Sequence, residues 1–200
     1  RSALQAPLIQ ELAEDIVQPG SNVYDLGCST GTTLLMLDRT LPMDVNFVGV
    51  DDSHEMLVKC ESKLREHQVK RKVELQCTDL HLGVDMKDAS LALMVLTLQF
   101  LRPLHRERLI ADVFKGLREN GGLILVEKVL GEDSHFNRLF IKHYYDFKRR
   151  NGYSETEIAQ KREALENVLI PYKLLENREL LLKSGFRYVD VFFKWYNFCG

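Results

Sequence analysis

Three acidic residues each follow a short apolar run, and a glycine-rich turn comes directly after the first of these runs. The acids are Asp25, Asp51 and Asp79, and the turn belongs to residues 25–31, which read DLGCSTG. In a doubly wound α/β sheet the ligand lies beyond the carboxyl ends of the strands, next to such a turn. Gly27 lets the backbone approach a ligand, and Asp51 can accept both hydroxyls of a ribose. Asp79 lies where an acid commonly meets an adenine amino group.

The same turn also fits other interpretations. Its Gly-x-Ser-x-Gly form is that of a hydrolase elbow with Ser29 as nucleophile, but a hydrolase elbow follows several strands and this one follows the first. A dinucleotide site uses the same geometry, but the G-x-G-x-x-G pattern and a P-loop are both missing. In a purely structural interpretation the glycines only form a turn and Asp51 is a solvated strand end. The D-x-G-x-x-x-G form resembles the first motif of class I S-adenosylmethionine-dependent methyltransferases.

The elements that must position these residues follow from the hydrophobic periodicity, which predicts βαβ units around a mostly parallel sheet. Strands are predicted at 22–26, 46–50, 73–77, 90–96 and 123–126, and helices at 8–16, 32–39, 53–66 and 103–117. Residues 134–168 are predicted to form a basic helical insert. A helix near 177–184 and strands at 188–193 and 194–198 predict a closing antiparallel hairpin. We therefore expect one Rossmann-like α/β domain over residues 1–200.

Composition excludes several classes of protein. Hydrophobic residues make up 45% of the 200, and 27 Lys and Arg against 29 Asp and Glu give a net charge of −2, which argues against disorder and general nucleic-acid coating. The apolar runs are too short for a membrane span. The four cysteines form no C-x-x-C pair and the six histidines show no ligand spacing, so we expect no metal. The chain begins with Arg1 and has no signal-peptide pattern, which favours a cytoplasmic protein.

Several stretches resemble the CmoA family, the carboxy-S-adenosylmethionine synthases of bacterial tRNA wobble-uridine modification. The matching strings span nearly the whole chain and lie at residues 23–29, 97–101, 146–149, 151–155, 160–162, 165–168 and 197–198. Generic methyltransferases lack the stretch at 146–168. The resemblance implies that the S-methyl group of S-adenosylmethionine is carboxylated, with prephenate as carboxyl donor and phenylpyruvate as by-product. A partner enzyme then uses the product to carboxymethylate tRNA, and direct tRNA contact by this chain is not expected.

The resemblance also implies roles for individual residues. Gly27, Cys28 and Ser29 would contact the methionine part of S-adenosylmethionine, Asp51 and Asp52 the ribose and its surroundings, and Asp79 and Leu80 the adenine. Val95 would lie at the edge of the site. From its position near the strand end, Asp25 could accept a hydrogen bond from an amine or orient the turn. Arg162 would hold the added carboxylate from a neighbouring subunit of a homodimer. A guanidinium clamps a carboxylate through two charge-assisted hydrogen bonds, which supports this role. From spacing alone, a surface pair with Glu163 or Glu166 is the alternative.

The chain departs from the family pattern at three places. Val95 stands where the family has asparagine, Asp52 replaces another asparagine, and the family's upstream segment with a ligand-contacting tyrosine is not recognisable after Arg1. Two alternatives therefore stay open: a conventional S-adenosylmethionine-dependent methyltransferase on a small molecule or tRNA, and a non-catalytic relative. S-adenosylhomocysteine or the carboxylated cofactor would occupy the same site. The basic run at 148–150 could attract phosphate or the carboxylates of prephenate, or form a solvated helix face.

Overall fold

The structure is a computed structural model that describes residues 5–200, so the expectations for the first four residues lie outside it. Five strands follow the predicted order: β1 (Asn22–Leu26), β2 (Asn46–Asp51), β3 (Val73–Cys77), β4 (Ala89–Val95) and β5 (Leu117–Leu130). Three two-residue strands come later: β6 (Tyr172–Lys173), β7 (Lys194–Trp195) and β8 (Phe198–Cys199). Together they form one sheet in the order β3-β2-β1-β4-β5-β8-β7, and β6 pairs with β5.

Helices cover both faces of this sheet. They are α1 (Ala6–Ile16), α2 (Thr32–Leu37), α3 (His54–Glu66), α4 (Pro103–Gly116), α5 (Ser134–Arg150), α6 (Glu155–Leu165) and α7 (Leu174–Lys183). Val23 packs with buried residues of α1, α2 and α3, whereas Tyr24, the next residue of β1, packs with α4 on the opposite face. Because helices cover both faces, β1, β2 and β4 are largely apolar and buried. The parallel pairing of β1 to β5 confirms the predicted doubly wound sheet.

The closing hairpin is antiparallel as predicted, but it lies later in the chain than expected. Lys194 pairs with Cys199 and Trp195 with Phe198, while residues 188–193 form no strand. The two-residue turn lies at positions 196 and 197, and the turn fixes the register of a hairpin. The two strands therefore pair on either side of these positions and not around residues 193 and 194. The apolar pattern of 188–193 does not mark buried strand faces, since Tyr188 is 90% exposed.

The helical insert packs against this hairpin through aromatic side chains. The ring centroid of Tyr144 in α5 lies 5.1 Å from that of Phe198, and Phe147 lies 4.9 Å from Trp195. Edge-to-face pairs of this kind stabilise a contact beyond the area that they bury. Beyond the insert, β6 extends β5 in parallel over two residues, which the sequence did not predict. None of the described helices has the length and apolar composition needed to span a membrane.

Candidate functional site

The glycine-rich turn is fixed against the ends of β2 and β4. The backbone N–H groups of Gly27 and Cys28 both donate to the carbonyl oxygen of Val50, over 2.7 and 3.0 Å. Gly27 has a φ of +81°, and a Cβ at this position would overlap the side chain of Thr97. Only glycine combines this backbone conformation with so close an approach. The turn therefore brings the carboxyl ends of β1, β2 and β4 together.

Asp51 at the end of β2 is held in a single orientation by two backbone groups. Its Oδ2 accepts the N–H of Ser29 over 2.8 Å, and its Oδ1 accepts the N–H of Ser53 over 3.0 Å. Each carboxylate oxygen has a second lone pair, so both can accept a further hydrogen bond. The carboxylate is therefore positioned to accept a diol such as the two hydroxyls of a ribose.

Asp79 caps the short 3-10 helix that follows β3. Its Oδ1 accepts the N–H of His81 over 2.9 Å and lies 2.8 Å from Nδ1 of the same side chain. The backbone hydrogen bond from His81, followed by the side-chain contact, holds the pKa of Asp79 below its usual range. The residue presents an ionised acceptor beside the end of β3 at neutral pH.

One cavity of about 350 Å³ collects most of the residues that the sequence predicted for the cofactor site. The predicted residues that line it are Gly27, Ser29, Asp51, Asp52, Asp79, Leu80 and Val95. The rest of its wall consists of Thr78, His81, Leu96, Thr97, Phe100 and Leu101. This volume is in the usual range for small-molecule sites. Apolar walls for a flat base lie beside carboxylates for hydroxyl and amino groups, so the lining suits a nucleoside.

Two predicted residues do not reach this cavity with their side chains. Asp25 is 1% exposed and Cys28 is fully buried. The N–H of Cys28 donates to Val50 and its carbonyl accepts the N–H of Gly31, so the backbone of Cys28 is also used within the protein. The Cys28 thiol donates a hydrogen bond to the sulfur of Cys60, and this bond, together with burial, raises the pKa of Cys28. Cys28 is therefore a neutral packing group.

Arg162 is brought into a different cavity from the cofactor residues. It is exposed on α6 and lines a cavity of about 260 Å³. Within residues 5–200 its guanidinium makes no hydrogen bond or ion pair, and the surface pair with Glu163 or Glu166 is not formed. The structure thus separates Arg162 from the cofactor cavity of its own chain.

Glu127 is a site-supporting residue that the sequence analysis missed. Its carboxylate accepts the backbone N–H groups of Thr97, Leu98 and Gln99 over 3.1, 3.0 and 2.8 Å. Burial raises the pKa of Glu127 to about 8, although these three donors and Arg106 act in the opposite direction. The sequence contains a signal for this residue, because Glu127 directly follows the apolar run at 123–126 just as Asp51 follows the apolar run of β2. No cluster of His, Cys, Asp or Glu arranged for a metal occurs among the described residues.

Comparisons with known proteins identify the family of this chain. Residues 23–121 match a family model described as a methyltransferase domain. The carboxy-S-adenosyl-L-methionine synthase of Methylococcus capsulatus is 62% identical over 194 residues, which are 96% of this chain and 80% of that protein. The protein of the same name from Helicobacter pylori is 43% identical over 191 residues, 96% of this chain and 78% of that protein.

A solved structure extends the comparison to the fold. The YcgJ protein from Bacillus subtilis matches with a TM-score of 0.69 at 19% identity, covering 97% of this chain and 72% of that one. At this identity the likeness shows only that the two chains share a fold. The 62% identity to the Methylococcus capsulatus protein, over 96% of this chain, shows more. This chain belongs to the carboxy-S-adenosyl-L-methionine synthase family.

Proposed function

We propose that this chain is a carboxy-S-adenosylmethionine synthase that uses prephenate as the carboxyl donor. The observation that carries the proposal is the cavity on which Ser29, Asp51 and Asp79 converge, in a chain 62% identical to a protein named for this activity. Strand ends that converge on one crevice are the usual ligand site of this class of sheet.

The residues of the cavity fit the parts of S-adenosylmethionine. The Asp51 carboxylate would accept the ribose hydroxyls, and Asp79 would accept the adenine amino group beside the apolar wall of Leu80. Gly27 and Ser29 line the end of the cavity nearest the glycine-rich turn, where the methionine part would lie. The cofactor supplies a sulfonium, whose positive charge makes its methyl protons more acidic.

The overall reaction balances with prephenate as the second substrate. The carboxylate on the prephenate ring is transferred to the methyl carbon, which loses one proton. The ring hydroxyl leaves with a proton as water, and the ring becomes aromatic as phenylpyruvate is formed. The new carboxylate adds a negative charge that S-adenosylmethionine does not have, so a cation is required near the methyl carbon.

Arg162 is our candidate for that cation. Because it is exposed and lines a different cavity from Asp51 in its own chain, it would act in the cofactor site of a neighbouring subunit. A homodimer would therefore be the active form. A separate tRNA-modifying enzyme of the cytoplasm would consume the product, and this chain would not need to bind tRNA.

The proposal is tested by incubating the purified protein with S-adenosylmethionine and prephenate and analysing the products by mass spectrometry. We expect a nucleoside heavier than S-adenosylmethionine by one carboxyl group and an equal amount of phenylpyruvate. Omission of prephenate serves as the control and should give no product. Absence of the carboxylated nucleoside from the complete reaction would refute the proposal.

A conventional methyltransferase is a second candidate because of Val95. Val95 lines the cavity at a position where the family pattern has an asparagine, so the site edge has one polar group fewer. Transfer of a labelled methyl group to a small molecule or tRNA in the absence of prephenate would support this alternative. Binding of S-adenosylhomocysteine without turnover in either assay would instead indicate a non-catalytic relative.

A further inference from the structure

The basic run at 148–150 divides into residues with different surroundings. Arg149 forms ion pairs with Asp146 and Glu155 on the exposed side of α5, and Nε of Arg150 donates to the carbonyl of Asp146. Lys148 differs from both, since it is only 8% exposed and lines the cavity of about 260 Å³. The run is therefore a solvated face at two positions and an inward-facing cation at the third.

Four cations from three elements line that cavity, which we call the cationic pocket: Lys128 of β5, Lys148 of α5, and Lys161 and Arg162 of α6. Glu166 is its one acidic lining residue, and Tyr144, Tyr145, Leu165 and Leu169 complete it. In the part of the chain that the structure describes, none of the four cations forms an ion pair with a carboxylate.

The ammonium groups of Lys128 and Lys148 both lie over the ring of Tyr144. Nζ of Lys148 lies 4.8 Å from the ring centroid of Tyr144, and Nζ of Lys128 lies 5.0 Å from the same centroid. Burial lowers the pKa of Lys128 and of Lys148, and the neighbouring ammonium groups lower it further. Buried cations with like-charged neighbours and no ion-pair partner are unfavourable, and an anion bound in the pocket would stabilise them.

The pocket also lies beside the segment that lines the cofactor cavity. The N–H of Lys128 donates to Oε1 of Gln99 over 2.8 Å, and the N–H of Ile170, next to the pocket residue Leu169, donates to the carbonyl of Gln99 over 2.8 Å. Phe100, the following residue, lines the cofactor cavity. The cationic pocket therefore has a fixed relation to the cavity of about 350 Å³ in the same chain.

We propose that the cationic pocket binds the carboxyl donor, a ring-bearing dicarboxylate, through Lys128, Lys148 and Lys161. The assignment rests on the proposed function, because that reaction requires a second, doubly anionic substrate. Several cations match two carboxylates, and the tyrosine and leucine side chains offer an apolar wall to a six-membered ring. The enclosed position of Lys148 suits a small molecule and not the phosphate backbone of a nucleic acid.

The variants Lys148→Met and Lys161→Met test the assignment, each removing one charge while keeping an unbranched side chain. We expect KM for prephenate to rise about ten-fold or more in each, because a charge-assisted hydrogen bond is lost. KM for S-adenosylmethionine should stay within about two-fold of wild type. Lys142→Met is the matched control, since Lys142 is exposed on the same helix α5. Lys161 is exposed, so its replacement should not disturb folding if that of Lys148 does.

Calorimetric titration with prephenate provides a measure that does not depend on turnover. If the wild type and both variants bind prephenate equally while product is still formed, the assignment is wrong and the proposed function stands. If the wild type forms no product, the proposed function fails, and weaker prephenate binding in both variants still supports the pocket. Binding of tRNA that is lost in the Lys161 variant, with prephenate affinity unchanged, would overturn the assignment in favour of a nucleic-acid contact.

Discussion

The side chains of Gln99 and Glu127 each accept a backbone hydrogen bond from the chain segment that contains the other residue. The carboxylate of Glu127 accepts the N–H of Gln99 over 2.8 Å, and the side-chain oxygen of Gln99 accepts the N–H of Lys128 over 2.8 Å in return. Because Thr97 lines the cofactor cavity and Lys128 lines the cationic pocket, this reciprocal pair connects the two cavities. A substitution at Gln99 or at Glu127 should therefore change the geometry of both cavities.

Glu127 should make stability fall as pH rises through the neutral range. Burial raises its pKa to about 8 in the folded protein, from a usual 4.5. A carboxyl whose folded pKa is raised contributes stability that is fully present below pH 4.5 and is lost as pH rises through 8. We expect the free energy of unfolding, measured with urea between pH 5 and 9, to decrease with a slope of at most roughly 1.4 kcal/mol per pH unit from this group.

Glu127→Gln should remove that part of the pH dependence. The amide resembles the neutral acid but accepts through one oxygen only, so at pH 5 we expect it to be less stable than wild type by about 1–3 kcal/mol. This deficit should shrink toward pH 9, where the wild type is ionised. Glu119→Gln is the control, because Glu119 is an exposed residue of the same strand β5. Parallel pH profiles for wild type and Glu127→Gln would contradict the raised pKa.

A pair of glycine substitutions separates backbone strain from steric overlap. Gly20 and Gly27 both have positive φ, +65° and +81°, but a Cβ at Gly20 meets nothing within 4 Å, whereas at Gly27 it overlaps Thr97. We expect Gly20→Ala to lower the free energy of unfolding by about 1–2 kcal/mol, and Gly27→Ala by about 1–3 kcal/mol more. Thr97→Ala combined with Gly27→Ala should recover part of the difference. Equal losses for the two single variants would show that the turn is not packed tightly against Thr97.

Most of the sheet could be predicted from local sequence, and so could the grouping of Asp51 and Asp79 at one of its edges. The period of apolar residues and the acids at strand ends fixed β1 to β4, and the order of βαβ units brings those ends to one edge of the sheet. The position of the hairpin could not be predicted in this way. It depends on the turn at 196–197 and on pairing of Cys199 with Glu127, which is far away in sequence.

The cationic pocket could not be predicted for a similar reason. Its lysines come from β5, α5 and α6, and only the packing of the insert onto the sheet decides which of them point inward. Lys148 and Arg149 are neighbours in one basic run, yet Lys148 is buried and Arg149 forms two surface ion pairs. The separation of Arg162 from Asp51 likewise depends on tertiary structure and not on motif order.

Asp51→Asn should weaken cofactor binding without unfolding the protein. An amide has a single acceptor oxygen, so it cannot serve both backbone N–H groups of Ser29 and Ser53 and two ribose hydroxyls. We expect the Kd for S-adenosylhomocysteine, measured by calorimetry, to rise about ten-fold to a hundred-fold. Asp15→Asn, at an exposed position of α1, is the charge-matched control. An unchanged Kd would mean that Asp51 only orders the turn.

Subunit complementation tests whether Arg162 works in the same chain as Asp51 or in the neighbouring one. Arg162→Ala and Asp51→Ala should each abolish nearly all carboxylation in homodimers. In a mixed dimer of the two variants, action across the subunit boundary leaves one site with both residues intact. Co-expression with two different affinity tags isolates that dimer, and we expect about half of the wild-type activity from it.

The reciprocal dimer makes the result decisive. It combines one wild-type chain with one chain that carries both substitutions, so its total number of altered residues is the same. If Arg162 acts across the boundary, the wild-type cofactor site lacks its arginine and the other site lacks its aspartate, so this dimer should be inactive. If Arg162 acts within its own chain, the pattern inverts: the reciprocal dimer keeps one complete site, and the dimer of single variants has none. Activity confined to the reciprocal dimer would therefore exclude the shared site.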